Sequence, residues 1–183
     1  MGGKERFICK WMETEAANRR PVSQREISAR EFDAPPTLVP FAQMDYWFLT
    51  APVTWTHPDT KPSKIVVPRG FVTDFASIPR AFWSLFPPIG SYGLPAIMHD
   101  WLYWTQSLDR KTSDLLFYMA MCEMQTSRWK RYPIYSSLRL FGWTAWHANA
   151  RAKTAGERRI LGIFPTDPKV TWISWRMNPG VFA

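Results

Sequence analysis

The chain has 183 residues, of which 46% are hydrophobic, a size and composition that suit one domain with a sizeable core and short extensions. Cys9 and Cys122 are too few for a disulfide framework and lack the spacing of a metal site. The net charge of +8 favours acidic partners, but the basic residues are spread out and no recognised nucleic-acid-binding module accompanies them. Composition therefore excludes a disulfide-rich scaffold and does not indicate nucleic-acid binding. No stretch is long and apolar enough to predict a transmembrane segment.

The N-terminal part of the chain predicts an arm followed by a β element. Residues 1–36 mix charges with little periodicity and end in Pro35 and Pro36, so we expect an N-terminal arm there. Residues 46–57 and 64–74 are rich in Val, Phe, Trp, Thr and Ile and flank a turn-forming segment. We therefore predict a small antiparallel β-hairpin, with Pro68 at an edge or a bulge.

Two polar residues follow the second predicted strand. Ser77, with Pro79 in the first turn, predicts the N-cap of a short helix that runs to Phe86. Asp74 has more than one interpretation, because an aspartate at the end of a strand can supply a metal ligand or an acid, or can satisfy the amides of a turn.

The middle of the chain predicts three helices. Apolar residues recur at helical spacing from about Pro95 to Gln106, and Asp109 is a suitable cap for a second helix. Pro133 could open a third helix that ends near Ala150. The predicted fold class is therefore α+β: a β element, a helical hairpin and a third helix in a core domain of residues 37–151, with extended arms at both ends.

The predicted hairpin brings together residues suited to acid–base chemistry. His99 and Tyr103 are four residues apart and share a helix face, whereas Asp100 is turned by about 100°. In an antiparallel hairpin with a rise of about 1.5 Å per residue, Asp114 lies level with His99 and Tyr103. A carboxylate there fixes the imidazole so that its other nitrogen can take a proton from water. Asp100 is left as a ligand for a hard cation.

The alternative interpretation is that these side chains are hydrogen-bonded packing residues of amphipathic helices, which are common in proteins without catalytic activity. The other two histidines, His57 and His147, have no aspartate or glutamate directly beside them in the sequence. We interpret both as structural.

One resemblance concerns the helical hairpin. His99-Asp100-x-x-Tyr103, followed by a helix with Asp114-x-x-Phe117, resembles the calcium-dependent secretory phospholipases and, more closely, the cysteine-free phospholipase domain of parvovirus capsid proteins. The resemblance implies that His99 activates water, that Asp114 orients it and that Asp100 binds calcium.

A second resemblance covers about residues 66–142. The motifs GFVTDFASIP at 70–79, HDWLY at 99–103 and SD at 113–114 occur in order, and together they look like a family of short, uncharacterised phage and prophage proteins. This resemblance implies a phage-encoded origin without an established activity.

The C-terminal residues 152–183 return to loop composition and predict an extended arm. Trp172 and Trp175 lie in this otherwise coreless segment, and Phe182 lies next to its end. We predict that these aromatic residues bind a partner.

Two functions follow as hypotheses. The first is a virion-associated hydrolase of a lipid or another envelope ester, with His99, Asp114 and Tyr103 as the catalytic group and calcium on Asp100 and Asp74. The alternative is a non-catalytic structural or adaptor protein of the capsid or tail. For both we expect assembly into a phage virion in the host cytoplasm. The predicted partners are other virion proteins, a second copy of the chain, and anionic lipid or envelope.

Overall fold

The computed structural model describes residues 37–75 and 93–183. The predicted N-terminal arm and the predicted helix capped by Ser77 lie outside the described residues. The described parts of the chain form five short strands and four helices: β1 (Leu38–Pro40), β2 (Trp47–Leu49), β3 (Val53–Thr56), β4 (Lys64–Val67), β5 (Val72–Thr73), α1 (Gly93–Thr105), α2 (Arg110–Glu123), α3 (Arg128–Thr154) and α4 (Trp172–Trp175).

The predicted α+β class is confirmed, with antiparallel strands followed by helices. Strands β3 and β4 form the predicted hairpin, in which Val53 lies opposite Val67. Strands β1, β2 and β5 form a separate antiparallel sheet in that order. Each of the two strands predicted from the sequence is therefore divided between two sheets. Pro52 and Pro68 lie at the two breaks, because proline cannot donate a ladder hydrogen bond.

The sheet formed by β1, β2 and β5 lies between two hydrophobic cores. Side chains on a strand alternate between its faces, so Trp47 and Leu49 pack into the core shared with the helices. Phe48 points to the opposite face and packs into a second core. All three residues of β2 are therefore buried.

The C-terminal segment covers that second face and is not the extended arm that we predicted. The Val72 amide donates to the carbonyl of Arg159 at 2.8 Å, and the Leu161 amide donates to the carbonyl of Gly70 at 2.9 Å. Gly70 has a φ of +85°, and a Cβ atom there would lie 2.2 Å from the Leu161 carbonyl oxygen. Only glycine fits such a close approach of two backbones. The segment is therefore part of the fold.

The aromatic residues of this segment pack on their own chain, and that they also bind a partner stays a prediction. Trp172 is only 2% exposed, and its ring lies 5.5 Å from Phe41 and 6.1 Å from Phe182. Trp175 and Phe182 are partly buried against the same core. The sequence identifies these aromatic residues as anchors, but it does not show that the surface they pack on is the sheet of the same chain. This second core consists of Phe41, Phe48, Val72, Leu161, Trp172 and Val181.

The predicted helical hairpin is confirmed. Helix α2 is capped by Asp109, whose carboxylate accepts from the Thr112 amide at 3.0 Å. Helix α3 begins at Arg128, five residues before the predicted start, and keeps Pro133 inside it. Its first turns are supported by α2, because Arg131 and Tyr132 both pack on the ring of Tyr118. Within residues 37–75 and 93–183, no helix is long and apolar enough to cross a membrane.

Candidate functional site

Asp114 lies where the three long helices meet. His99 Nε2 is 3.1 Å from Asp114 Oδ1, and the Tyr103 hydroxyl donates to the same oxygen at 2.6 Å. The predicted placement of Asp114 level with His99 and Tyr103 is thus confirmed. All three residues are buried, and neither His99 nor Asp114 has any solvent-accessible surface.

The second oxygen of this carboxylate is held by two arginines. Asp114 Oδ2 accepts from Arg110 at 3.2 Å and from Arg139 at 2.7 Å. Arg110 also donates to the Leu138 carbonyl at 3.1 Å, so it joins α2 to α3. Sequence reasoning missed both arginines. The spacing of four residues between Arg110 and Asp114 on one helix was a usable signal, whereas the contribution of Arg139 depends on tertiary packing.

These hydrogen bonds and burial determine the ionisation states of Asp114 and Tyr103. Burial by itself raises the pKa of Asp114, but the hydrogen bonds from His99, Tyr103 and Arg139 outweigh burial and hold that pKa below its ordinary value of 3.8. Burial, followed by the neighbouring Asp114 carboxylate, raises the pKa of Tyr103 well above its ordinary value. At neutral pH Asp114 is therefore a carboxylate, and Tyr103 keeps the proton that it donates.

The rings around the carboxylate are packed tightly. The His99 ring stacks on Phe117 with centroids 4.7 Å apart, and Tyr103 packs edge-on against Trp146 of α3. A Cβ atom on Gly142 would lie 2.6 Å from the Tyr103 hydroxyl oxygen. Glycine at this position therefore lets α3 approach α1 closely.

Asp100 faces a different element, as the 100° rotation between neighbouring helix positions predicts. Its Oδ2 atom accepts a short hydrogen bond from the Thr73 hydroxyl, which in turn accepts from the Phe75 amide at 3.2 Å. Asp100 and Thr73 are both buried. This contact ties α1 to strand β5.

Asp74 and Asp100 are the residues predicted to hold calcium. The negative charge of Asp74 interacts with the guanidinium of Arg159. Burial by itself lowers the pKa of Arg159, but the charges of Asp74 and Glu157 outweigh burial and raise that pKa. Among residues 37–75 and 93–183, no group of three or more His, Cys, Asp or Glu side chains is arranged to hold a metal ion. Calcium binding by Asp74 and Asp100 stays a prediction.

A second histidine–carboxylate pair was missed in the sequence. His57 Nε2 lies 3.3 Å from Glu123 Oε1, and Trp55 Nε1 donates to Glu123 Oε2 at 2.6 Å. His57 Nδ1 accepts from the Asp59 amide at 3.1 Å. The pair joins the β3–β4 hairpin to the end of α2 and agrees with a structural role for His57. His147 is exposed on α3.

The fold and the site define an α+β protein whose helices are joined by one buried carboxylate. The chain belongs to the family described as protein of unknown function, DUF1353, whose sequence pattern matches residues 47–138. The match confirms the prediction of an uncharacterised family. It includes His99, Tyr103 and Asp114 and ends one residue before Arg139. Comparison with curated proteins and with solved structures gives no significant match.

Proposed function

We propose that this chain is a non-catalytic structural or adaptor protein of a phage particle, assembled in the host cytoplasm, and that it binds neighbouring virion proteins. The resemblance of its three motifs to phage and prophage proteins supports the origin. The observation that carries the non-catalytic role is the environment of Asp114, which accepts hydrogen bonds from His99, Tyr103, Arg110 and Arg139.

This environment suits a structural junction better than a proton relay. A carboxylate that orients a general base also stabilises the imidazolium that forms when the base takes a proton. Two guanidinium groups also hydrogen-bond this carboxylate, so Asp114 is shared among three helices rather than dedicated to His99. His99 is also fully buried and stacked on Phe117. These contacts stabilise the helices and leave the imidazole poorly placed to meet water.

The C-terminal segment supplies a contact surface for a virion protein. Trp172 fixes the segment in the second core, while its neighbour Ile173 is 62% exposed and Met177 is 77% exposed. Trp175 Nε1 donates to the Ile163 carbonyl at 3.3 Å, which brings the exposed Ile163 close to this turn. Apolar side chains held on an ordered segment form a surface suited to a protein partner.

The test is a double variant in which Ile173 and Met177 are both replaced by glutamate. The phage that encodes the protein is made to produce only this variant. We expect roughly tenfold less of the variant in purified particles, because a buried unpaired charge opposes docking. The control is Val66→Glu, which places the same charge at an exposed apolar residue outside the C-terminal segment, on β4. Normal incorporation of the double variant would contradict the proposal. Point substitutions are preferable to deleting 160–183, because that segment contributes Leu161, Trp172 and Val181 to the core.

The second candidate is the hydrolase, and the contact between His99 Nε2 and Asp114 is the observation that favours it. In this mechanism the Nε2–H group of His99 donates a hydrogen bond to Asp114, and Nδ1 accepts the proton from water. The water oxygen bonds to the ester carbonyl carbon, the bond to the alcohol oxygen breaks, and the proton passes to the leaving alcohol.

Fatty-acid release from mixed phospholipid micelles distinguishes the two candidates. The release is measured with calcium and with a chelator for three proteins: the natural chain, His99→Gln and His57→Gln. His57→Gln is the control, because His57 is also buried and also has a carboxylate neighbour. The adaptor function predicts no release that depends on His99. Release that is lost in His99→Gln and kept in His57→Gln would establish the hydrolase and overturn the first proposal.

A further inference from the structure

The outer side of α3 carries a stripe of exposed apolar side chains. Trp129 is 88% exposed, Leu140 65% and Trp143 54%, and Tyr132 is also exposed. At 3.6 residues per turn these positions fall on one side of the helix. The other side carries Ile134 and Leu138, which are buried in the core shared with α1 and α2.

The charge of the helix is entirely positive. Helix α3 contains four arginines and two lysines and has no aspartate or glutamate anywhere in its 27 residues. Arg131 and Arg139 are engaged by Tyr118 and Asp114 within the fold. Arg128 and Arg151 are exposed and lie towards the two ends of the helix, beyond the apolar stripe. The six basic residues are Arg128, Lys130, Arg131, Arg139, Arg151 and Lys153.

We propose that this outer face of α3 binds the surface of a membrane that contains anionic lipids. Trp129, Leu140 and Trp143 enter the headgroup region, where the amphipathic rings of tryptophan and tyrosine are favoured. Arg128 and Arg151 meet the negative lipid headgroups. The stripe from Trp129 to Trp143 is about 21 Å long at 1.5 Å per residue. A helix with apolar, aromatic and basic residues in this arrangement is typical of an interfacial helix.

The positive charge of α3 favours anionic lipid over a second copy of the chain as the partner of its outer face. Two copies joined through α3 would bring two basic helices together without an acidic residue on either helix to pair with them. Like charges facing each other across an interface oppose association. Anionic headgroups neutralise the basic residues and also offer an apolar layer to Leu140 and the two tryptophans.

This inference goes beyond the proposed function, because it concerns a different surface and does not depend on any role of His99. The residues on α3 are distinct from Ile173 and Met177, which are proposed to contact a virion protein. Either proposal can therefore fail while the other holds.

The experiment is flotation of the full-length chain with lipid vesicles. Vesicles of phosphatidylcholine with roughly one-third phosphatidylserine are compared with vesicles of phosphatidylcholine alone, at about 0.1 M salt. We expect at least tenfold stronger binding to the anionic vesicles, reduced at about 1 M salt. Equal binding to both vesicles, or binding to neither, would overturn the proposal.

A matched pair of triple variants tests the surface itself. Trp129→Ser with Leu140→Ser and Trp143→Ser removes the stripe, and we expect it to weaken binding to anionic vesicles at least tenfold. Val39→Ser with Met44→Ser and Val66→Ser removes exposed apolar residues elsewhere and is expected to bind the anionic vesicles like the natural chain. Equal effects of the two variants would overturn the proposal. A dimer in sedimentation that only the α3 variant dissociates would assign the face to a second copy instead.

Discussion

His99 Nε2 lies 3.1 Å from Asp114 Oδ1 in a contact that no solvent reaches, and this contact joins the two helices of the hairpin. Arg139 brings the third helix to the same carboxylate. A buried charge stabilises a fold only when it is paired and its hydrogen-bonding capacity is filled. Asp114 meets that requirement with one donor from α3, one from α2 and two from α1.

Gly142→Ala tests the close approach of α3 to α1. Alanine normally stabilises a helix by about 1 kcal/mol relative to glycine. Here the added Cβ atom meets the Tyr103 hydroxyl, which is fixed by its hydrogen bond to Asp114. We therefore expect the opposite sign, a loss of about 1–3 kcal/mol in the free energy of unfolding measured with urea.

The control for this prediction is a double-mutant cycle. Tyr103→Phe removes the hydroxyl oxygen that the new methyl group would meet, so Gly142→Ala should cost less in that background. The same cost in both backgrounds would show that Tyr103 does not set the spacing of the helices.

Asp109 provides a prediction of pH dependence at the start of α2. Its hydrogen bonds from the Thr112 hydroxyl and then from the Thr112 amide lower its pKa from the ordinary 3.8. The part of its stabilising effect that depends on the charge is therefore fully present above about pH 4 and is lost as the pH falls through the lowered pKa. Asp109→Ala should cost about 1 kcal/mol at pH 7, and less below pH 4.

Asp109→Asn is the matched variant, because asparagine caps helices as well but does not titrate. It should keep most of the stability at pH 7, measured by urea unfolding. An equal loss in both variants would mean that the charge rather than the cap stabilises α2.

Trp172→Ala tests the attachment of the C-terminal segment. Because Trp172 fills the second core, its removal should cost about 3–5 kcal/mol in the free energy of unfolding. Ile173→Ala changes the adjacent, exposed residue and should cost less than about 0.5 kcal/mol. Similar small effects of both changes would show that the segment does not contribute to the core.

The features that the sequence predicted well are local. Helical periodicity and the capping aspartate located the hairpin, and the spacing of His99, Tyr103 and Asp114 follows from the rise and turn of two antiparallel helices. The direction of Asp100 away from His99 follows from the same geometry. These predictions needed no knowledge of distant contacts.

The features that it missed depend on contacts between distant parts of the chain. Arg139 reaches Asp114 from α3, a helix that lies close to α1 at Gly142. Glu123 and His57 meet through the packing of a hairpin on a helix. The C-terminal segment has the composition of an arm, and its backbone hydrogen bonds with Gly70 and Val72 join residues about 90 positions apart in the chain.

The free energies of unfolding of Asp114→Asn and of the natural chain, measured with urea at pH 7 and at successively lower pH, test the central claim most directly. Asparagine keeps the shape but removes the charge that balances Arg110 and Arg139, so we expect a loss of about 3 kcal/mol at pH 7. The pKa of Asp114 is lowered from 3.8 in the folded chain, so its stabilisation is lost as the pH falls through that lowered value, and the difference should narrow there. Equal stability of the two chains at pH 7 would contradict a structural role for this carboxylate.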